Sequence, residues 1–406
     1  KTKKRTRREK MKNNTSHLFA AIICILCLLN SCNPYVDLCY ETEHPHHTEI
    51  QFQYNWTDTV TKPDSMYILA ERVINSWKCG LKVSSDNGTG HFFTGQLPSD
   101  SDSVATNGFL IRRGTYKILT FNKDTTVFNY SNLDSASNSL EKQWNFQEFT
   151  LNYRSYKMDD AVIKNILNNW SDNNAYSDFV LPTATPMVYD SLELFKIETG
   201  NNNIAKFTPI PITQNVTLSF NIHKIFSTKL DGVSFKVDSI KSEISGIPAK
   251  INLYTGLIDI RKTYKMVSNM NILNATDSTA KDSYANDSLH CSINYDVTGI
   301  AWGNTDDIAS GPGIMQVIIY TTINNNGTLS YKKIQGKINL YHTLQNAAML
   351  KYTEDGNHAQ QTTKKGNINI STPLQLDGTQ IIKASETTSS GIDKCLPTGS
   401  TDIIEI

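Results

Sequence analysis

The sequence predicts an all-β protein of two tandem antiparallel β-sandwich domains with one or two short helices. Three observations predict it. Asn, Ser, Thr, Tyr and Asp are abundant and alanine-rich helical stretches are scarce, a bias toward strands and polar turns. Apolar residues recur two apart in several segments, so each such strand buries one face and wets the other. The strand candidates are many, short and separated by Asn/Gly/Asp/Ser turns, which points to sandwiches with antiparallel pairing throughout.

Before any strand comes a leader. Residues 1–10 carry seven Lys or Arg, and residues 18–29 form an unbroken apolar run that ends at Asn30-Ser31-Cys32. Twelve residues are too few to span a bilayer, which takes about 20 in a helix, so the run reads as the core of a signal peptide. Leu29-Asn30-Ser31-Cys32 has an apolar residue three before the cysteine and a small one directly before it, the geometry of a lipobox. Cys32 is then the acylated N-terminus of a mature lipoprotein, tethered to a membrane by chains that hold firmly when two or more are present. The basic stretch serves as an extended n-region, or as translated sequence upstream of a start at Met11, and not as a nucleic-acid arm.

Removing residues 1–31, which hold eight Lys/Arg and Glu9, leaves 31 basic and 38 acidic residues, a formal net charge of −7. A mildly acidic chain is poorly suited to phosphate backbones, so nucleic acid is excluded as a partner. The 374 residues after Cys32 exceed one core and suit two domains, and no further run of 18 apolar residues occurs in them.

Residues 32–47 read as a lipidated tether, 48–203 as an N-terminal β-sandwich, 204–375 as a C-terminal β-sandwich, and 376–406 as a polar tail with a terminal strand. Ile50, Phe52, Tyr54 and Trp56 alternate in the first strand, and Val216, Leu218, Phe220 and Ile222 repeat the pattern in the second domain. Further strands are expected at 65–71, 108–112, 115–121, 146–152, 187–196, 233–244, 249–254, 292–298, 314–322, 331–341, 366–371 and 401–406. Asp159–Trp170 opens with a capping acid and carries apolar residues at helical spacing, and 343–351 is a weaker helix. The domain boundary is expected at the polar stretch Thr199-Gly-Asn-Asn-Asn203. Lys-Ile-Asn-Leu-Tyr occurs twice, at 250–254 and 337–341, as two similar strands and not as a repeat array.

Candidate chemistry is sparse. Cys24 and Cys27 lie inside the signal core, which leaves Cys39, Cys79, Cys291 and Cys395 beside Cys32. Export permits disulfides, with three possible pairings, and buried free thiols are an equal alternative. His44-Pro-His46-His47 is the one metal-like cluster, but adjacent His46 and His47 point opposite ways in an extended chain, so a polar tether is the reading and no metal or other cofactor is expected. G-x-S-x-G, H-E-x-x-H and a phosphate-binding Gly-rich loop are all missing, so no catalytic residues are assigned and no enzyme is expected. Trp56, Trp77, Trp144, Trp170 and Trp302 are spread along the chain, where core packing explains them as well as a sugar platform does.

The pattern of Cys32, Asp37-Leu-Cys-Tyr40, His44-Pro-His46, a strand ending in Trp56, Pro63-Asp-Ser-Met-Tyr67 and Ile111-Arg-Arg-Gly-Thr-Tyr-Lys117 resembles the start of fimbrillin-like lipoproteins of the Bacteroides type. Ile240–Pro248, Tyr264-Lys-Met266 and Lys337–Tyr341 resemble the second domain of the same group. The resemblance implies two transthyretin-like sandwiches and a place among subunits of type V pili, which are lipoproteins first and polymerise by strand exchange. Shaft subunits of that kind are released by cleavage after an arginine near the first strand. Here the first arginine downstream of the lipobox is Arg72, and Lys62 is the nearest alternative for a lysine-specific protease. The expected role is therefore an uncleaved anchor or accessory subunit in the outer membrane, bound through its lipid and partnered by other fimbrial subunits or surface proteins. Ile403, Ile404 and Ile406 form the candidate donor strand in the tail. The alternative is a lipid-anchored module that binds host or bacterial glycans, marked by exposed aromatics aligned on one sandwich face.

Overall fold

A computed structural model describes the chain from His47 to Ala384 and at Cys395–Pro397. Outside the description lie residues 1–46, 86–89, 95–108, 132–145, 168–177, 226–232, 275–281, 304–310, 385–394 and 398–406, with short breaks at 59, 75–77, 158, 184–185, 363–364 and 380. The described residues are mostly β, as expected.

The N-terminal half begins with β1 (His47–Tyr54), β2 (Ser65–Arg72), β3 (Lys78–Ser84), β4 (Gly90–Thr94), β5 (Phe109–Arg112) and β6 (Gly114–Phe121). β7 (Phe128–Ser131), a 3-10 turn at Phe146–Glu148, β8 (Thr150–Tyr153), α1 (Ala161–Leu167), β9 (Phe179–Val180), β10 (Val188–Ile197), β11 (Asn203–Phe207) and β12 (Ile210–Pro211) follow. A three-stranded sheet, β11-β1-β5, faces a six-stranded sheet, β12-β10-β6-β2-β3-β4. Between them sits a small core of Ile50, Phe52, Ile68, Leu81, Tyr116 and Phe207 with their neighbours.

The C-terminal half contains β13 (Gln214–Lys224), β14 (Val233–Asn252), β15 (Ile258–Asn274), β16 (Ser288–Val297), β17 (Ile314–Asn325), β18 (Thr328–Asn339) and α2 (Tyr341–Ala347). It ends with β19 (Leu350–Tyr352), β20 (His358–Gln361), β21 (Lys365–Leu376), β22 (Ile381–Ala384) and β23 (Cys395–Pro397). Its main path runs β22-β21-β13-β16-β15-β14-β17-β18-β23, and β22 comes back beside β23, so the sheet rolls nearly shut around the largest core. β15 makes the roll possible. Its first part pairs with β14 and its last four residues pair with β16, so one long strand passes from one wall to the other.

The six-stranded sheet is buried on both faces. Met66, Ile68 and Ala70 of β2 point into the small core, while Tyr67 and Leu69 point into the barrel-side core with Leu119 and Phe121. That explains why Met66–Ala70 is a continuous apolar run and not an alternating one. Phe121 marks the seam, with its ring centroid 5.5 Å from Phe149 and 5.7 Å from Tyr130.

Several expectations need correction. Pairing is not antiparallel throughout, since β1–β11, β13–β21 and β9–β15 run parallel. Parallel partners need long crossovers, and each of these pairs joins strands separated by whole sheets of intervening chain. The strands expected at 233–244 and 249–254 are one strand, because Gly246–Pro248 is absorbed by register shifts on β14. Pro is tolerated at such a bulge, and Gly246, at φ +102°, meets Ala301 so closely that a Cβ would lie 2.3 Å from its carbonyl oxygen. The expected 146–152 strand begins as the 3-10 turn and becomes β8 only at Thr150. α1 is described over 161–167, and α2 ends before Ala348, which adopts a left-handed φ of 48°.

The polar stretch Thr199–Asn203 is the turn from β10 to β11, both in the N-terminal sheets, while β8 and β9 pair with barrel strands β14 and β15. The repeated Lys-Ile-Asn-Leu-Tyr is one device used twice. In each copy the Ile points into the core and the Asn side chain ends the strand by accepting the N–H two residues on, from Tyr254 at 2.9 Å and from Tyr341 at 2.8 Å.

Candidate functional site

β1, the first described strand, is held on both sides. Ile50–Tyr54 pair in parallel with Asn203–Phe207, and His47–Ile50 pair antiparallel with Phe109–Arg112. Alternation drives Ile50 and Phe52 inward, where both are buried, and Phe52 stacks on Phe207 at 6.1 Å. Tyr54 stacks on both Phe207 and Trp56, and its hydroxyl is 2.9 Å from the Thr120 hydroxyl. Burial holds the Tyr54 phenol well above its ordinary pKa. The Trp56 indole N–H donates to the Ser85 carbonyl at 3.0 Å, which pins the end of the strand to the opposite sheet.

Asn203 fastens the other end. Its amide donates to the carbonyls of Glu198 at 2.9 Å and Glu49 at 3.2 Å, while its side-chain oxygen accepts the Glu198 N–H. One buried side chain thus ties β1 to the β10–β11 turn. With two hydrogen-bonded neighbours and two inward rings, β1 completes this sandwich from the chain itself.

The sequence-predicted site residues fall into two groups. Leu29, Asn30, Ser31, Cys32, Cys39, His44, His46, Ile403, Ile404 and Ile406 lie outside the described residues. Cys79 and Cys291 are described as buried free thiols, one in each core, and burial pushes both well above the ordinary thiol pKa. A buried thiol with a raised pKa is poorly reactive. Cys395 opens β23 and lies opposite Ile338 of β18.

Charged pairs in the interior are structural. The Lys224 ammonium donates to Asp282 at 2.6 Å, to the Ser283 carbonyl at 2.8 Å and to the Phe235 carbonyl at 3.3 Å, with the Phe235 ring 5.4 Å away. All three N–H groups are used, and both side chains of the pair are fully buried. The Val237 N–H donates to the second Asp282 oxygen. Glu243 is buried against Lys265 at 2.6 Å in the same manner. The Lys224 pair was absent from the sequence reading, yet a signal for it exists. Lys224 continues the inward parity of Val216, Leu218, Phe220 and Ile222, and a lysine at an inward position requires a partner.

Among the described residues no group of three His, Cys, Asp or Glu side chains is placed to hold a metal. Trp302 stacks on Tyr352 at 4.6 Å, and Tyr331, 38% exposed, is the exposed aromatic among the described residues, so no aligned aromatic row is found there. No described helix is long and apolar enough to cross a membrane.

No family model and no curated protein matches the sequence. Solved structures do match it. One is a candidate adhesin from Bacteroides ovatus, 9% identical, with a TM-score of 0.41 over 86% of this chain and 95% of that one. A fimbrial anchor protein from Porphyromonas gingivalis is 8% identical, with a TM-score of 0.34 over 80% of this chain and 92% of that one. A C-terminally truncated tip fimbrial protein from the same species is 10% identical, with a TM-score of 0.33 over 80% and 95%.

Proposed function

We propose that this chain is a lipid-anchored cell-surface subunit of fimbrillin-like type, structural and adhesive and not catalytic. Acylated Cys32 holds it in the outer membrane, and it joins other fimbrial subunits or surface proteins by strand exchange in an anchor or accessory role. The observation that carries the reading is the state of β1. That strand, the first after the proposed tether, is paired on both edges and buries Ile50 and Phe52 in the small core.

The sequence before β1 supports the same role. Between Cys32 and Arg72 no arginine offers an arginine-specific protease a cut that would free the fold from its lipid, and Lys62 is the one lysine there. The net charge of −7 after the leader gives no electrostatic route to anionic headgroups, which leaves the acyl chains as the means of attachment. Ile403, Ile404 and Ile406 are the proposed donor segment toward a neighbouring subunit.

Metabolic labelling with a palmitate analogue tests the anchor. Label is expected on the wild type and absent from Cys32→Ala, and a Cys32→Ala variant that still labels overturns the reading. Deletion of 398–406, which leaves β22 and β23 in place, tests the donor segment, and unchanged assembly of surface fibres removes it.

A further inference from the structure

The junction between the six-stranded sheet and the barrel holds an open cleft of about 330 Å³, within the range of small-ligand sites. Three segments distant in sequence build it. Tyr189 comes from β10, Ile210 and Pro211 from β12, Thr255 from the β14–β15 turn, and Gln360 and Gln361 from β20. Its lining combines the apolar Ile210, Pro211 and Ile251 with one phenol, two amides and the hydroxyls of Thr255 and Thr362.

We propose that this cleft binds a neutral, hydroxyl-rich ligand, a carbohydrate of one or two rings. None of the side chains lining it is ionisable except the Tyr189 phenol, and burial holds that phenol protonated at neutral pH. The adjacent Asp190 is engaged elsewhere, accepting the N–H groups of Thr208 and Ser191. An anionic ligand would meet no cation in this lining, and a purely apolar one would leave amides and hydroxyls unpaired at a cost. An extended peptide would add to the sheet edge through main-chain hydrogen bonds. The edge here is the two-residue β12, and Pro211 has no N–H to give. A pyranose satisfies both kinds of lining group, its C–H face suited to the isoleucine and proline side chains and its hydroxyls to the amides and hydroxyls.

The cleft is also shaped in advance. Gly256, at φ +69°, lies directly under the Tyr189 hydroxyl, where a Cβ would come within 2.0 Å of that oxygen. The Gln361 amide donates to the carbonyls of Ile212 and Thr298, the latter at 3.1 Å, which fixes this side chain at the base of the cleft. The Tyr189 hydroxyl and the exposed Gln360 amide both line the cleft.

The proposal adds a ligand class to the adhesive role and needs neither the lipid nor a fibre, so the two readings fail separately. Saturation-transfer NMR on the full chain in detergent, with neutral gluco-, manno-, galacto- and N-acetylglucosamine oligosaccharides and with lactose beside sialyllactose, is the test. At least one neutral sugar is expected to receive saturation. Tyr189→Phe and Gln360→Ala, each of which removes only a lining group, are expected to weaken it by about three- to tenfold, the worth of one hydrogen bond. Binding unchanged in the double variant, no transfer to any neutral sugar, or sialyllactose binding tighter than lactose overturns the proposal.

Discussion

The two halves of the molecule reach a closed core by opposite routes. The barrel is mostly a run of sequence-adjacent antiparallel partners, β14 with β15, β15 with β16 and β17 with β18, and its strands reach 20 residues. The N-terminal sandwich has strands of at most ten residues and closes only when β11 returns beside β1. Its six-stranded sheet also exposes a full apolar face, through Tyr67, Leu69, Leu119 and Phe121, unless the barrel covers it. Local pairing makes the barrel the quicker structure to nucleate, and the sandwich depends on it for half of its burial.

Phe121 gives the largest test of that dependence. Phe121→Ala opens a cavity at the seam and is expected to cost about 3–5 kcal/mol in urea unfolding. Both halves should lose stability together, and a loss confined to the sandwich would break the comparison. Lys224→Met comes next, at about 3–4 kcal/mol, because Asp282 is left buried without its main counter-charge. Replacing Asp282 with Leu in the same chain should restore most of it, and failure to do so would show that the pair does more than balance charge. Ile50→Ala is expected to cost about 2–3 kcal/mol and to act on the sandwich alone. Hydrogen exchange would read this as faster opening of β1, β5 and β11 with unchanged protection in β14 and β17.

Base treats the halves alike. The Tyr153 phenol is pushed up to about 12 by burial, although the Thr298 N–H donates to its oxygen. A phenol with a raised folded pKa stabilises the fold fully below its unfolded value near 10, and that stability is lost as pH rises from there toward 12, at about 1.4 kcal/mol per pH unit. Buried Tyr54 and Tyr295 shift in the same direction in the sandwich and the barrel. Unfolding followed by circular dichroism should therefore steepen above about pH 10. The smallest effect separates the halves again. Cys79 should react with a thiol reagent before Cys291 at neutral pH, since the core around it is smaller and rests on the β1–β11 closure, and the reverse order would argue against a dependent sandwich.

Strands that bury one face were legible. Ile50 to Tyr54 and Val216 to Ile222 show plain alternation and form β1 and β13. β15 was not legible, because Arg261, Lys262 and Lys265 interrupt its apolar positions, and Asp178 and Glu243, the partners of the two lysines, lie on other segments of the chain. The parallel pairs were hidden for a related reason, since period-two alternation is the same whichever way the neighbour runs. The inward lysine at 224 was readable as an anomaly, but Asp282, 58 residues on, was not nameable as its partner. The cleft was beyond sequence altogether, as it exists only where residues near 189, 255 and 360 converge.

The pairing of β1 with β11 has a mechanical side. β11 leads through β12 into the barrel, so a pull between the N-terminal end of β1, where the proposed tether would join, and the barrel draws these two parallel strands from opposite ends. Such a load runs along the strands. Their hydrogen bonds then share the force and must slide together, where a hairpin pulled from its open end would unzip one rung at a time. The short β11-β1-β5 sheet is thus loaded in shear by such a pull.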